Sequence, residues 1–174
     1  MDSTGEISYR RTFVVPVDAD QAFKELTTAE GAWWPRDHNL GALPTLGIGF
    51  DPEVGGDWYE TSIDGTKIHR GKVLAWDPPR RVVVDWPLYF SPPEDGAPSS
   101  EWEVRFHDHP GGGTRVELEH RGMHRSDDVE FVSDKFFSRY GWDMVVRNYA
   151  GFLASGPWGP ELEERRNRGA EAAR

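Results

Sequence analysis

Two groups of residues in this chain have the types and spacing for chemistry: ionisable side chains set inside strands, and an unusual load of indoles. His120 alternates in phase with Val116 and Leu118, so it is expected to face inward. A neutral imidazole there can orient a ligand or exchange a proton near neutral pH, and it can equally serve a core through a hydrogen bond. Glu60 follows Trp58 by two residues and is expected to share its face. A two-residue hairpin at Asp64-Gly65 sets His69 close to Glu60 across the strands. His120 with Glu60 or His69 is therefore the acid/base set to check, while Asp85, alternating with Val82, Val84 and Trp86, is expected to point outward.

Other chemistries fare worse. His107 and His109 share a strand face, but they sit at the mouth of the Pro110–Gly113 turn, and zinc needs at least a third protein ligand. A solvated turn is expected, and no metal site. No Gly-x-Ser-x-Gly elbow occurs, and Gly47-Ile48-Gly49 lacks the spacing and following helix of a phosphate loop. The absence of cysteine excludes disulfides, thiolate zinc sites, iron–sulfur clusters and cysteine nucleophiles. Catalytic residues stay unassigned and no cofactor is expected.

The whole chain sets further bounds. Its 174 residues suit one domain and carry 20 basic against 30 acidic side chains, a net charge of −10. That balance argues against broad contact with nucleic acid or anionic lipid, and Arg165, Arg166 and Arg168 are matched by acidic neighbours. Neither a basic-then-apolar leader nor an 18-residue apolar run appears, so a cytoplasmic protein without membrane contact is expected. Eight Trp, nine Phe and five Tyr are spread along the chain, enough either to pack a dense core or to line an apolar cavity.

The elements that must hold these residues follow from periodicity. Ile7–Val15 alternates as a strand, and Asp18 then offers an N-cap to a short helix carrying Ala22, Phe23 and Leu26. A second short helix opens at Thr28-Ala29-Glu30 and stops at Trp33-Trp34-Pro35. From Ile48 the pattern is an antiparallel meander, with strands over Asp57–Ile63, Lys67–Trp76, Arg81–Trp86, Glu101–His107 and Thr114–His120. Pro87–Ser99 is a long proline-rich loop. Trp142, Val145, Val146, Tyr149, Phe152 and Leu153 form the apolar stripe of a C-terminal helix, which the phenylalanines from Phe131 extend toward the N-terminus unless Gly141 breaks it. One α+β domain over residues 1–156 with a charged tail, 157–174, is the expected organisation.

This order resembles the helix-grip fold of the START-like (SRPBCC) superfamily. Individual segments are most similar to the family named after the C-terminal domain of the activator of Hsp90 ATPase. They are Val17-Asp18-Ala19-Asp20-Gln21-Ala22-Phe23, Trp33-Trp34-Pro35, Gly55-Gly56-Asp57-Trp58, Gly71 to Arg81, Gly113 to Leu118 and Gly141-Trp142. The resemblance implies a curved antiparallel sheet of six to seven strands wrapped round a long C-terminal helix, two short helices after the first strand, and an internal cavity between sheet and helix. This chain has Glu53-Val54 before Gly55-Gly56, where members often carry an arginine, so no role of that arginine transfers. The eukaryotic activator also has a separate chaperone-binding domain for which no length is expected here.

Together these readings predict a protein that binds a small hydrophobic or aromatic molecule inside, in a space of about 300–1,000 Å³ if it is ligand-sized. Trp58, Trp86, Trp102, Val104, Leu118 and His120 are the candidate contacts on the sheet, with Trp142 and Tyr149 on the helix and Trp33 and Trp34 near an entrance. Two alternatives stay open: a cofactor-free cyclase, dehydratase or hydrolase, and an interaction module such as a chaperone accessory. A homodimer fits any of them.

Overall fold

The computed structural model describes residues 6–28, 33–39, 41–87, 100–126 and 128–155. Seven strands form one antiparallel sheet: β1 Tyr9–Val15, β2 Thr45–Phe50, β3 Asp57–Ser62, β4 Lys67–Asp77, β5 Arg81–Trp86, β6 Ser100–Asp108 and β7 Thr114–Arg121. Their spatial order is β1-β7-β6-β5-β4-β3-β2, a meander whose last strand returns to pair with the first. Helix α1 (Ala19–Thr28) follows β1, and α2 (Val129–Phe137) and α3 (Trp142–Ala154) close the chain. The fold class is the expected α+β arrangement, with the sheet at its upper strand count. The second short helix, most of the Pro87–Ser99 loop and the 157–174 tail fall outside the described residues.

Local chemistry explains the element ends. Asp18 accepts from Gln21 N at 2.8 Å and caps α1, as its side chain and position suggest. Asp128 does the same for α2 through Phe131 N at 2.9 Å. The C-terminal helix is bent rather than continuous: Gly141 separates α2 from α3, and a Cβ there would run into the carbonyl oxygens of Lys135 and Phe136. The close approach of the two helix ends therefore needs glycine.

Bulges bend the sheet. Register shifts fall between Thr45 and Gly47, between Trp58 and Tyr59, and between Val73 and Ala75. Each adds local twist and turns the following side chains to the other face. The concave face meets α1 and α3 across one core of Phe, Trp, Val and Leu. Tyr149 Oη donates to the Ala22 carbonyl at 2.6 Å, tying α3 to α1, and Tyr9 Oη donates to Asp143 at 2.7 Å, tying β1 to α3.

Charges occupy the convex face. Glu103, almost wholly covered, accepts from Arg81 and Arg121 at 2.6 Å and lies 2.8 Å from Arg105 Nε. Burial alone would raise its pKa, and the surrounding arginines outweigh that and hold it below the ordinary carboxylate value. Among the described residues no helix is long and apolar enough to cross a membrane.

Candidate functional site

Between the sheet and α3 lies a void of about 10 Å³, walled by apolar atoms of β1, β6, β7, α1, α3 and the Trp33-Trp34 segment. It has room for roughly one water, far short of the space for a ligand. The interior that the curved sheet encloses is filled by the chain's own rings. Seven of the ten candidate contacts line this void: Trp33, Trp34, Trp102, Val104, Leu118, Trp142 and Tyr149. Trp33 and Trp34 are each 4% exposed, so they plug the space rather than frame an open entrance. Phe13, Leu26 and Val146 also line it. The stripe on α3 and the apolar positions of β1 and α1 carry the signal for them.

His120 is away from the void and fully buried. Trp142 Nε1 donates to its Nδ1 at 2.9 Å, so Nδ1 is an acceptor and Nε2 bears the proton. Nε2 then donates to Ser100 Oγ at 2.8 Å, and the Ser100 hydroxyl donates in turn to the Trp86 carbonyl at 2.7 Å. Trp86 stacks on the imidazole at 5.3 Å and 5°. Both ring nitrogens are thus committed. Burial, with the Arg121 charge adding to it, pushes the pKa down to about 3. This histidine locks α3 to the sheet and stays neutral at physiological pH.

Glu60 does face inward beside Trp58, but His69 does not join it. The Asp64-Gly65 turn is one residue longer than the simplest hairpin: Ser62 O accepts from Gly65 N at 2.8 Å, Ser62 N donates to Thr66 O at 2.9 Å, and Gly65 has φ +85°. This is a three-residue loop with a glycine bulge. It pairs Glu60 with Ile68 and Tyr59 with His69, sending His69 to the outer face, where it is 3.5 Å from Asp57. On the inner face Arg70 takes the place beside Glu60.

Arg70 sits at the next bulge, between the pairs Tyr59–His69 and Trp58–Gly71. Its side chain is 3% exposed, and its Nε and Nη2 donate to one Glu60 oxygen at 3.0 and 2.6 Å. Nη2 also donates to the His38 carbonyl at 2.5 Å, and Gly41 N donates to the other Glu60 oxygen at 3.0 Å. The rings of Trp34, Trp58 and Trp86 surround the guanidinium at 5.4, 5.4 and 5.5 Å. Burial lowers the pKa of Arg70, and the Glu60 charge opposes the shift. Trp58 donates through Nε1 to the Asp85 carbonyl at 2.7 Å, and Gly71 leaves the space this indole needs. The candidates Trp58 and Trp86 therefore belong to the Arg70 environment and not to the void.

The outer histidines stay outside this arrangement. His107 lies 3.2 Å from Glu117 on the convex face, and His109 Nδ1 accepts from Gly111 N inside its own turn. Asp85 is on the outer face, as expected, where it accepts from Lys72 N.

The family model described as "Activator of Hsp90 ATPase homolog 1-like protein" matches residues 16–152, most of the chain and every residue lining the void except Phe13. The chain belongs to that family. No curated protein matches this family member. Among solved structures it is similar to the anthrahydroquino-gama-pyrone synthase Txn09 in complex with SUM, at 35% identity over 84% of this chain and 97% of that one, with a TM-score of 0.57. MLL2253 from Mesorhizobium loti shares 16% identity over 84% of this chain and 96% of its own, at a TM-score of 0.60. EF2215 from Enterococcus faecalis, a protein of unknown function, shares 11% over 96% and 84%, at 0.61. The last two carry the fold alone.

Proposed function

We propose that this family member binds a planar aromatic molecule between its sheet and α3, with the indoles that fill the interior shifting to admit it. The observation that carries this reading is the void itself: it is apolar and ringed by Trp33, Trp34, Trp102, Trp142 and Tyr149. Ring-to-ring contacts there are mostly edge-on, so an inserted ring can replace one set of such contacts by another. The test is isothermal titration with phenanthrene and with xanthone. Saturable one-to-one binding of either supports the reading. Flat titrations with both defeat it and favour an interaction module, for which Phe131, Phe137 and Tyr140 offer an exposed aromatic surface on and after α2.

A second reading, cofactor-free ring closure, is favoured by the 35% identity to a synthase across nearly the whole of that chain. His120 is excluded as its base by the hydrogen bonds and the pKa of about 3. Such catalysis would act by polarising a carbonyl rather than by imidazole proton transfer. A simple model reaction is closure of 2-hydroxydibenzoylmethane to flavone with loss of water: the phenol oxygen adds to the distant carbonyl carbon and water leaves. Rate enhancement over buffer, followed by absorbance, supports this reading, and an unchanged rate overturns it for that substrate class.

A further inference from the structure

Five of the side chains that line the void carry an N–H or O–H donor, and four of the five are spent. Trp33 Nε1 donates to the Glu25 carbonyl at 3.1 Å and Trp34 Nε1 to the His38 carbonyl at 3.1 Å. Trp142 Nε1 donates to His120 at 2.9 Å, and Tyr149 Oη to the Ala22 carbonyl at 2.6 Å. Trp102 is the fifth. It is 1% exposed, and its Nε1 is the one fully buried side-chain nitrogen or oxygen without a partner among the described residues. Buried polar groups are normally satisfied, so this donor marks a missing acceptor. The rings of Phe50, Trp58 and Trp142, at 6.1, 5.6 and 5.7 Å, offer only π systems, which take an N–H weakly. A water fits no better, because it needs about two to four polar partners and the walls are apolar with every other lining donor engaged.

We propose that Trp102 Nε1 donates to a carbonyl oxygen of the guest, so that the bound molecule is a neutral planar aromatic ketone with its oxygen turned toward β6. This rests on the interior-binding reading above and adds to it the chemical class and the orientation. The atoms that touch the free space are apolar, so the donor meets a guest once the rings part to admit one, and Trp102 is among the rings that must move. A carbonyl brings an acceptor and no donor of its own, which suits a wall whose other polar atoms are already paired. Charge selects a neutral acceptor over an anion. No residue lining the void is ionised at neutral pH, Tyr149 included, since burial holds its phenol well above the ordinary pKa. A carboxylate there would be a buried charge without a counterion.

Calorimetric titration with a matched set tests this: 9-fluorenone, fluorene and fluorene-9-carboxylate. Fluorene is more hydrophobic than fluorenone, so burial alone would favour it. The expected order is instead ketone tightest, fluorene weaker by about tenfold, and carboxylate weakest. Trp102→Phe keeps a ring in the wall and removes the donor, so the ketone preference is lost. Trp34→Phe, an equal truncation of an indole already paired, keeps it. In the proton NMR spectrum of the native chain, the Trp102 Nε1–H resonance moves downfield with fluorenone and much less with fluorene, a readout that needs no variant to fold. Equal binding of ketone and hydrocarbon, a preference that survives Trp102→Phe, or a Trp102 resonance that the ketone leaves in place overturns the inference while the binding reading stands. Tightest binding of the carboxylate overturns it in favour of an anion site. If no member of the set binds, the interior-binding reading falls and the ketone assignment falls with it.

Discussion

Replacing His120 by Gln should change how stability depends on pH, with a sign and size that follow from its surroundings. The imidazole is fully buried, accepts a hydrogen bond from Trp142 at Nδ1 and donates one to Ser100 from Nε2. Its pKa falls from 6.5 in the unfolded chain to about 3 in the fold, because burial penalises the cation and Arg121 repels it. The unfolded state therefore binds more protons than the folded state between these values. The contribution is fully present above pH 6.5 and is lost as pH falls toward 3. At about 1.36 kcal/mol per unit, the loss reaches about 3 kcal/mol by pH 4 and about 5 kcal/mol at its limit. Gln can keep one of the two hydrogen bonds but not both, so H120Q starts about 1–3 kcal/mol less stable at pH 7. Urea unfolding followed by tryptophan fluorescence, at steps from pH 7 to pH 4, measures both proteins. Carboxylates held low in the fold, such as Asp143 and Glu103, titrate in both and cancel in the difference. The stability difference should move by about 3 kcal/mol in favour of H120Q across that range, which closes or reverses the gap. A constant gap would refute the reasoning, since it would mean that the buried imidazole accepts a proton as readily as an exposed one.

The other expectations rest on equally local causes. Glu60→Gln strands the Arg70 charge among indoles and should cost about 3–5 kcal/mol in urea unfolding, whereas Glu60→Leu/Arg70→Met should be close to neutral. Gly71→Ala drives a Cβ into the Asp85 carbonyl and the Trp58 indole and should destabilise, while Gly151→Ala, in α3 with open space around it, should raise stability by about 0.5–1 kcal/mol. Trp34→Ala removes a ring from the wall of the void, so it should cost about 3–5 kcal/mol by thermal unfolding yet tighten phenanthrene binding in the same titration that tests the native chain.

How far the sequence carried the reading depended on whether a feature was periodic. Six of the strands, the cap at Asp18, the α3 stripe and the inward phase of Trp102, Val104, Leu118 and His120 all repeat a local pattern, and the structure has them where that pattern puts them, whereas β2 begins in the glycine-interrupted stretch Gly41–Gly49 that reads as a loop. His69 and Arg70 were not legible, because their faces depend on a count of turn residues. Asp64-Gly65 allows a two-residue turn or a longer loop with glycine in the bulge, and that single residue exchanges an imidazole for a guanidinium beside Glu60. Cavity size was illegible for another reason. Alternation tells which side chains face inward, but whether indoles meet or leave a gap depends on their rotamers and on three bulges, which no spacing rule encodes.

A nearly filled interior constrains what a guest can gain. With about 10 Å³ free, a ring enters only by displacing indole surface, so the apolar area it buries largely replaces area that was already buried. Hydrophobic burial then separates one aromatic guest from another only weakly. The native contacts that cannot be matched by a hydrocarbon are polar, and the interior offers one as a donor at Trp102 Nε1, buried and without a partner among the described residues. Leaving such a donor unpaired costs about 1–3 kcal/mol, and a correctly placed carbonyl recovers it without bringing charge inside. Affinity in this fold should therefore follow the position of an oxygen on the ring more closely than the size of the ring, the reverse of what an open apolar cavity would show.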